Sequence, residues 1–180
     1  MIMKNVVLTG FMGTGKTSTG KRLACRLGCR FVDTDKLIED KYQKKISDIF
    51  AENGEEYFRD LETAMIKDVS ARGNQVIATG GGVVKRAENM AILRENGVIV
   101  CLTADIEHIL LRTANRGERP VLDKEDQGDR RLAIEKLLSE RQPLYAQADF
   151  TVNTGDVSPL EVAEEIIGIL KREGYIHAKG

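Results

Sequence analysis

The sequence predicts an α/β fold, a parallel sheet with helices on both of its faces. Three observations carry this. Five short apolar runs recur along the 180 residues, and segments with helical apolar spacing lie between them. The first run opens into a glycine-rich loop, "GFMGTGKTS" (Gly10–Ser18), which leads into a helix. Short continuous apolar runs are typical of strands buried on both faces. Their alternation with helices requires crossover connections and so a parallel sheet.

The predicted strands are Asn5–Thr9, Arg30–Asp33, Gln75–Thr79, Val98–Leu102 and Phe150–Asn153. After the first, Leu23, Ala24 and Leu27 form the apolar stripe of a helix. Phe58, Leu61, Met65 and Val69 recur at helical steps and predict a second helix over about 55–72. Leu132, Leu137 and Leu138 belong to a longer helix that ends near "ERQPLY", and Val162, Ile166, Ile169 and Leu170 mark the last. Ser158-Pro159 starts that last helix, a serine N-cap followed by proline at the first helical position. One polar stretch, Asn115–Arg130 ("NRGERPVLDKEDQGDR"), interrupts the pattern. A long polar excursion in a compact domain reads as a lid, a binding loop or an insertion. The closing "YIHAKG" reads as a frayed tail.

Composition narrows the function. The length suits one domain, 1–180. Hydrophobic residues make up 42% and charged residues 31%, and the net charge of −1 sets up no field toward nucleic acid or an anionic membrane. Trp is absent and aromatics are only 5%, which argues against base-stacking platforms. No apolar run approaches the ~20 residues that span a bilayer, and the first apolar run lacks the features of a signal peptide. The expectation is a cytoplasmic monomer that works on small molecules. The three cysteines, Cys25, Cys29 and Cys101, read as buried or semi-buried free thiols. A metal reading of Cys25 and Cys29 lacks partners, since the two histidines, His108 and His177, have no His or Cys neighbour at ligand spacing.

Gly10, Gly15, Lys16 and Thr17 fit the phosphate-loop pattern, in the strand–loop–helix context that pattern requires. Glycines let backbone N–H groups converge on phosphates, and the following helix turns its positive end toward them. Lys16 can reach the β- and γ-phosphates, and the Thr17 hydroxyl can sit on Mg²⁺. The motifs of GTP-type switches, Asp-x-x-Gly and Asn-Lys-x-Asp, do not occur in the chain. The third strand ends in glycines, and the acids follow the second strand instead, in "VDTD". Asp33 could hold Mg²⁺. Asp35, two residues on and pointing the same way by strand alternation, could take a proton from an acceptor hydroxyl. The plain alternative makes Asp35 the N-cap of the helix beginning "KLIEDK".

Further candidates are ambiguous one by one. Arg59 and Glu62 share a helix side off the core stripe and, taken alone, read as a surface ion pair. Gly80–Gly82 bare the backbone for close approach to a ligand, or form a flexible turn. Arg141 is a binding residue or simply a solvated arginine.

Together, "GFMGTGKTSTG", "FVDTD", "FRDLE", "ATGGGVV", "RTANRGERP", "ERQPLY" and "VNTGDVSPLEV", in that order, make the chain resemble the shikimate kinases over essentially its whole length. The resemblance implies a nucleoside-monophosphate-kinase-like phosphate-loop fold: a five-stranded parallel sheet, a substrate-binding helical region at about 33–62 and a mobile lid at about 113–128. It implies transfer of the γ-phosphate of ATP to the 3-hydroxyl of shikimate. By the same resemblance Gly13, Thr14, Gly15, Lys16, Thr17 and Ser18 would cradle the ATP phosphates, with Thr17 and Asp33 on Mg²⁺. Asp35 would hold the shikimate hydroxyls and act as base. Arg59 and Arg141 would grip the carboxylate, with Glu62 buttressing Arg59 and Gly80, Gly81 and Gly82 lining that pocket. Arg119 in the lid would reach the phosphates and substrate, and Arg112 and Pro159 would sandwich adenine.

That assignment agrees with the chemistry of the residues. Guanidinium forks suit a carboxylate, and a lid keeps water from the transferring phosphoryl group. The chain departs from the family in reading "VNT" where "VDT" is usual, at Asn153, and in a lid longer and more acidic (Asp123, Glu125, Asp126, Asp129). Val157 stands where some relatives carry a polar or charged residue. Competing readings are a gluconate kinase, a nucleoside monophosphate kinase, or a regulatory nucleotide-binding module without catalysis. Such a module would lose Lys16, Asp35 or a lid arginine, and all are present.

Overall fold

A computed structural model describes residues 4–114 and 127–176. Five parallel strands, β1 (Asn5–Gly10), β2 (Arg30–Asp33), β3 (Gln75–Ala78), β4 (Gly97–Thr103) and β5 (Phe150–Asn153), form one sheet in the order β2-β3-β1-β4-β5. Each predicted strand is present: β2 and β5 have the predicted ends, β1 gains Gly10, β3 stops before Thr79, and β4 grows to seven residues. The central strand pairs Val6–Leu8 with Val76–Ala78 on one side and Asn5–Gly10 with Gly97–Leu102 on the other.

The described helices are α1 (Lys16–Leu27), α2 (Thr34–Tyr42), α3 (Ile46–Asn53), α4 (Glu55–Ser70), α5 (Ala87–Glu95), α6 (Ile106–Thr113), α7 (Gln127–Tyr145) and α8 (Pro159–Arg172). Strand alternation sorts the core into two layers. Val7, Ile77, Ile99 and Cys101 face Phe58, Met65, Ile109 and Ile134 on one side of the sheet. Val6, Leu8, Val76, Val98 and Val100 face Leu23 of α1 and Val162, Ile166 and Leu170 of α8 on the other. Both layers are closed to water, so all six β1 residues are buried.

Several local expectations need correction. Leu132 is 64% exposed, and the aliphatic residue that α7 fully buries is Ile134. Cys25 is exposed, Cys29 is half-buried and Cys101 is buried, all as free thiols. α3 had a legible signal, Ile46, Ile49 and Phe50 at helical spacing, that the strand-and-stripe reading passed over. Ser158 caps α8 as expected, within a full capping box closed by Glu161. The expected lid at about 113–128 falls largely outside the described residues, and with it Arg119, Asp123, Glu125 and Asp126.

Parallel strands bring their C-terminal ends to one edge, where an open α/β sheet places its ligand crevice. The loop after β1, the acids after β2, the glycines after β3 and the loop after β5 all meet there around a cavity of about 560 Å³.

Candidate functional site

The phosphate loop joins β1 to α1. Gly15 caps α1 at φ 91°, a left-handed conformation that side chains with a Cβ rarely tolerate. Lys16 donates to the carbonyls of Gly10 at 2.7 Å and Phe11 at 2.9 Å, so its ammonium lies over the loop itself. Thr17 Oγ1 donates to Asp33 Oδ2 at 2.8 Å. These two hard oxygens, brought together from the start of α1 and the end of β2, are the donor type Mg²⁺ takes when phosphates complete its shell.

Asp33 also caps α2, its Oδ1 accepting from the Lys36 amide at 3.2 Å. This removes the plain alternative that Asp35 is the cap. Asp35 lies inside the first turn of α2, so helix geometry and not strand alternation sets its direction. It is half-buried, with Oδ1 sealed from solvent and accepting no hydrogen bond from any described residue. Burial, reinforced by the nearby Glu62 and Asp33 carboxylates, pushes its carboxyl up to about 7, against the pull of Lys16 and Arg59. A carboxylate poised near neutrality suits a general base.

Arg59 and Glu62 are not a surface pair. They are 6% and 0% exposed, and Arg59 Nη1 donates to Glu62 Oε2 at 2.6 Å. Arg59 also reaches Glu55 with Nε at 3.3 Å and stands over the rings of Phe58 and Phe50. Burial raises the Glu62 carboxyl despite the opposing Arg59 charge. The bare backbone of the glycine run accommodates the site's own side chains. A Cβ on Gly80 would stand 2.6 Å from Asp35 Oδ1, and one on Gly82 would stand 2.3 Å from Arg59 Nη1.

Arg141 is 6% exposed, near the end of α7. Nη1 donates to the Gly81 carbonyl at 3.4 Å, and the guanidinium lies 5.6 Å from the Phe11 ring centre. Tyr145 Oη donates to the same carbonyl at 2.7 Å, and burial pushes its phenol up to about 12. Among the described residues no carboxylate pairs with Arg141. A buried guanidinium with no ion-paired carboxylate, set against a carbonyl, the Tyr145 hydroxyl and a ring face, is suited to receive an anion.

The opposite end of the cavity is tied to the phosphate loop. Thr154 Oγ1 donates to the Thr14 carbonyl at 2.7 Å and accepts from Arg112 Nη1 at 3.2 Å. Arg112 Nη2 reaches the carbonyls of Thr154 at 2.5 Å and Gly155 at 2.7 Å. Asn153 Oδ1 accepts from the Gly155 amide at 2.8 Å, a bond its amide oxygen makes as an aspartate oxygen would.

Every expected site residue within the described chain, from Gly13 to Pro159, borders this cavity. Thr154, Tyr145, Phe11 and Glu55 escaped the sequence reading. Thr154 and Tyr145 stand inside quoted motifs, so their positions were visible, but their partners are 140 and 64 residues away in sequence. Among the described residues, no helix is long and apolar enough to cross a membrane.

A phosphate loop, an adjacent hydroxyl–carboxylate pair, and a buried carboxylate and arginines in the same cavity define a phosphate-loop phosphotransferase. The chain belongs to the shikimate kinase family: the family model described as "Shikimate kinase" matches residues 12–171. It is 48% identical over 178 residues to the shikimate kinase of Caldanaerobacter subterraneus subsp. tengcongensis, covering 99% of each chain. It is 51% identical over 165 residues to that of Thermodesulfovibrio yellowstonii, covering 92% of this chain and 94% of the relative. Among solved structures it is similar to the shikimate kinase of Acinetobacter baumannii in complex with shikimate, with a TM-score of 0.91, 35% identity and coverage of 95% of this chain and 94% of that one.

Proposed function

We infer that this chain transfers the γ-phosphoryl group of ATP to the 3-hydroxyl of shikimate, giving shikimate 3-phosphate and ADP. The observation that carries the reading is Arg141, a buried cation with no ion-pair partner among the described residues, set against the Gly81 carbonyl and the Phe11 ring. It lines the same cavity as Arg59, Asp35 and the phosphate loop. A small hydroxylated carboxylic acid supplies the anion this arrangement lacks and a hydroxyl for Asp35.

In this mechanism Arg59 and Arg141 bind the acceptor carboxylate with their guanidinium forks. Glu62 and Glu55 hold Arg59 in place. Asp35 accepts the proton of the 3-hydroxyl as that oxygen bonds to the γ-phosphorus and the bond to the bridging oxygen of ADP breaks. The loop amides and Lys16 hold the phosphates, and Lys16 leaves its loop carbonyls for the β- and γ-oxygens. Thr17 and Asp33 would hold Mg²⁺, which supplies charge neutralisation at the phosphate oxygens. Arg112 and Pro159 flank the base of the nucleotide. The role of Arg119 rests on the family resemblance.

The test follows ADP release from Mg-ATP with shikimate, gluconate or AMP in separate reactions. Release that requires shikimate supports the reading. Release with gluconate or AMP instead overturns the acceptor, and silence with all three overturns the catalytic assignment.

A further inference from the structure

His108 lies on α6, one turn before Arg112, and belongs to none of the machinery above. Its two ring nitrogens each meet a carboxylate oxygen: Nδ1 with Asp105 Oδ1 at 2.7 Å, and Nε2 with Asp156 Oδ1 at 3.0 Å. Asp105 is the N-cap of α6, and its Oδ1 also accepts from the His108 amide at 2.9 Å. Asp156 sits in the loop between β5 and α8, and the ring packs against Gly155 of that loop. A neutral imidazole has one N–H and one lone pair, so it can satisfy only one of these carboxylates. An imidazolium donates to both.

We propose that His108 is a positioning residue for the nucleotide: as imidazolium it fastens the β5–α8 loop to α6 and so shapes the base-binding end of the cavity. The loop carries Thr154 and Val157 and leads into Pro159, all of which line that end. Arg112 holds the near part of the loop through the Thr154 and Gly155 carbonyls at any pH. His108 holds the far part only while charged. Among the described residues, the titratable groups facing the ring are Asp105 on its own helix and Asp156 on the loop, and the cation facing the same loop is Arg112. The Asp105 contact is local to α6, whereas the Asp156 carboxylate is 96% exposed and is the partner released when the ring loses its proton.

The sign follows from the two partners. Both carboxylates favour the charged ring, raising its pKa above the ordinary 6.5. The clamp is therefore complete below that value and is lost as pH rises through the raised one. A loop held in place binds at lower ordering cost, so nucleotide affinity should fall as the ring deprotonates. This rests on the nucleotide-site reading above.

The experiment measures ADP affinity by calorimetry from about pH 6 to about pH 9 for the wild type, His108→Gln and Asp156→Asn. The ionisation of ADP itself is common to all three and cancels in the comparison. Wild-type Kd should rise with pH by about two- to fivefold more than in either variant, the size an exposed pair supports. A second readout is the imidazole titration by NMR. The chain has two histidines, so the variant assigns His108 directly. Saturating ADP should raise the His108 pKa, because the coupling is reciprocal. Parallel Kd curves in all three proteins, or a His108 pKa unmoved by ADP, would overturn the inference while leaving the nucleotide site intact. Absence of ADP binding by the wild type at every pH would overturn both. Should His108→Gln fail to fold, Asp156→Asn changes one exposed side chain and carries the comparison alone.

Discussion

The carboxylates of Asp35 and Glu62 converge on the Cα of Gly80: a Cβ placed there would stand 2.6 Å from Asp35 Oδ1 and 2.8 Å from Glu62 Oε1. Both oxygens are buried, and neither accepts a hydrogen bond from any described residue. Glu62 has Arg59 as a bonded counter-charge, whereas Asp35 has no such ion pair among the described residues. Two acids thus share one buried region with unequal compensation: Glu62 is bonded to the arginine, and Asp35 keeps a free oxygen of the kind the proposed proton acceptor needs.

Asp35→Asn should remove turnover by at least about 10²-fold, the size of a lost general base, while retaining nucleotide binding. Steady-state ADP release and ADP calorimetry on the same preparation check this. Turnover close to the wild type would exclude the base assignment.

The same carboxyl sets a pH limb. Asp35 must be ionised to accept a proton, and its value is about 7, so kcat/KM for shikimate should fall about tenfold per unit below that pH. Stability runs the opposite way. The folded value lies above the ordinary 3.8, so the folded chain holds the extra proton and loses stability as pH rises between the two. Urea midpoints at about pH 8 should therefore show Asp35→Asn more stable by about 1–3 kcal/mol.

Arg141→Ala should raise KM for shikimate about 10- to 100-fold, the loss of charge-assisted hydrogen bonds, with a smaller change in kcat. Arg141→Lys should not restore it, because an ammonium lacks the planar fork and the stacking on Phe11. An unchanged shikimate KM in the alanine variant would remove Arg141 from the carboxylate site.

Glu62→Ala leaves Arg59 buried with only the half-exposed Glu55 as partner. Breaking a buried pair this way should cost about 2–4 kcal/mol of folding stability, measured by denaturant titration. Glu62→Gln keeps an acceptor for Nη1 and should cost less.

Gly80→Ala would drive its methyl into both carboxylates. Because the collision is at the acceptor end, turnover should drop about 10²-fold through misplacement of Asp35, with ADP affinity unchanged by calorimetry. Normal turnover would mean that Asp35 moves without consequence.

Much of this could be read from contiguous residues. The strands were legible because continuous apolar runs record burial on both sheet faces, and the phosphate loop because its glycines, Lys16 and Thr17 lie within a few residues of one another. Asp35 was legible as an acid but not as a helix residue, because β2 ends at Asp33 and α2 begins at Thr34 with no gap between them. Taken alone, the spacing of Arg59 and Glu62 reads as a surface pair, because it gives a shared helix face but not what covers that face; the resemblance placed both in the substrate pocket.

By itself, the sequence determined the α/β class, the order of strands and helices, the phosphate loop and the family. These depend on periodicity and on motifs whose members are chain neighbours. Only the tertiary structure decided that Asp35 and Glu62 meet at Gly80, that Arg141 is buried against Gly81, 60 residues away, and that His108 spans two carboxylates 51 positions apart. Such contacts are set by how separate elements pack across the sheet edge, and that packing is a property of the whole core, not of any local stretch.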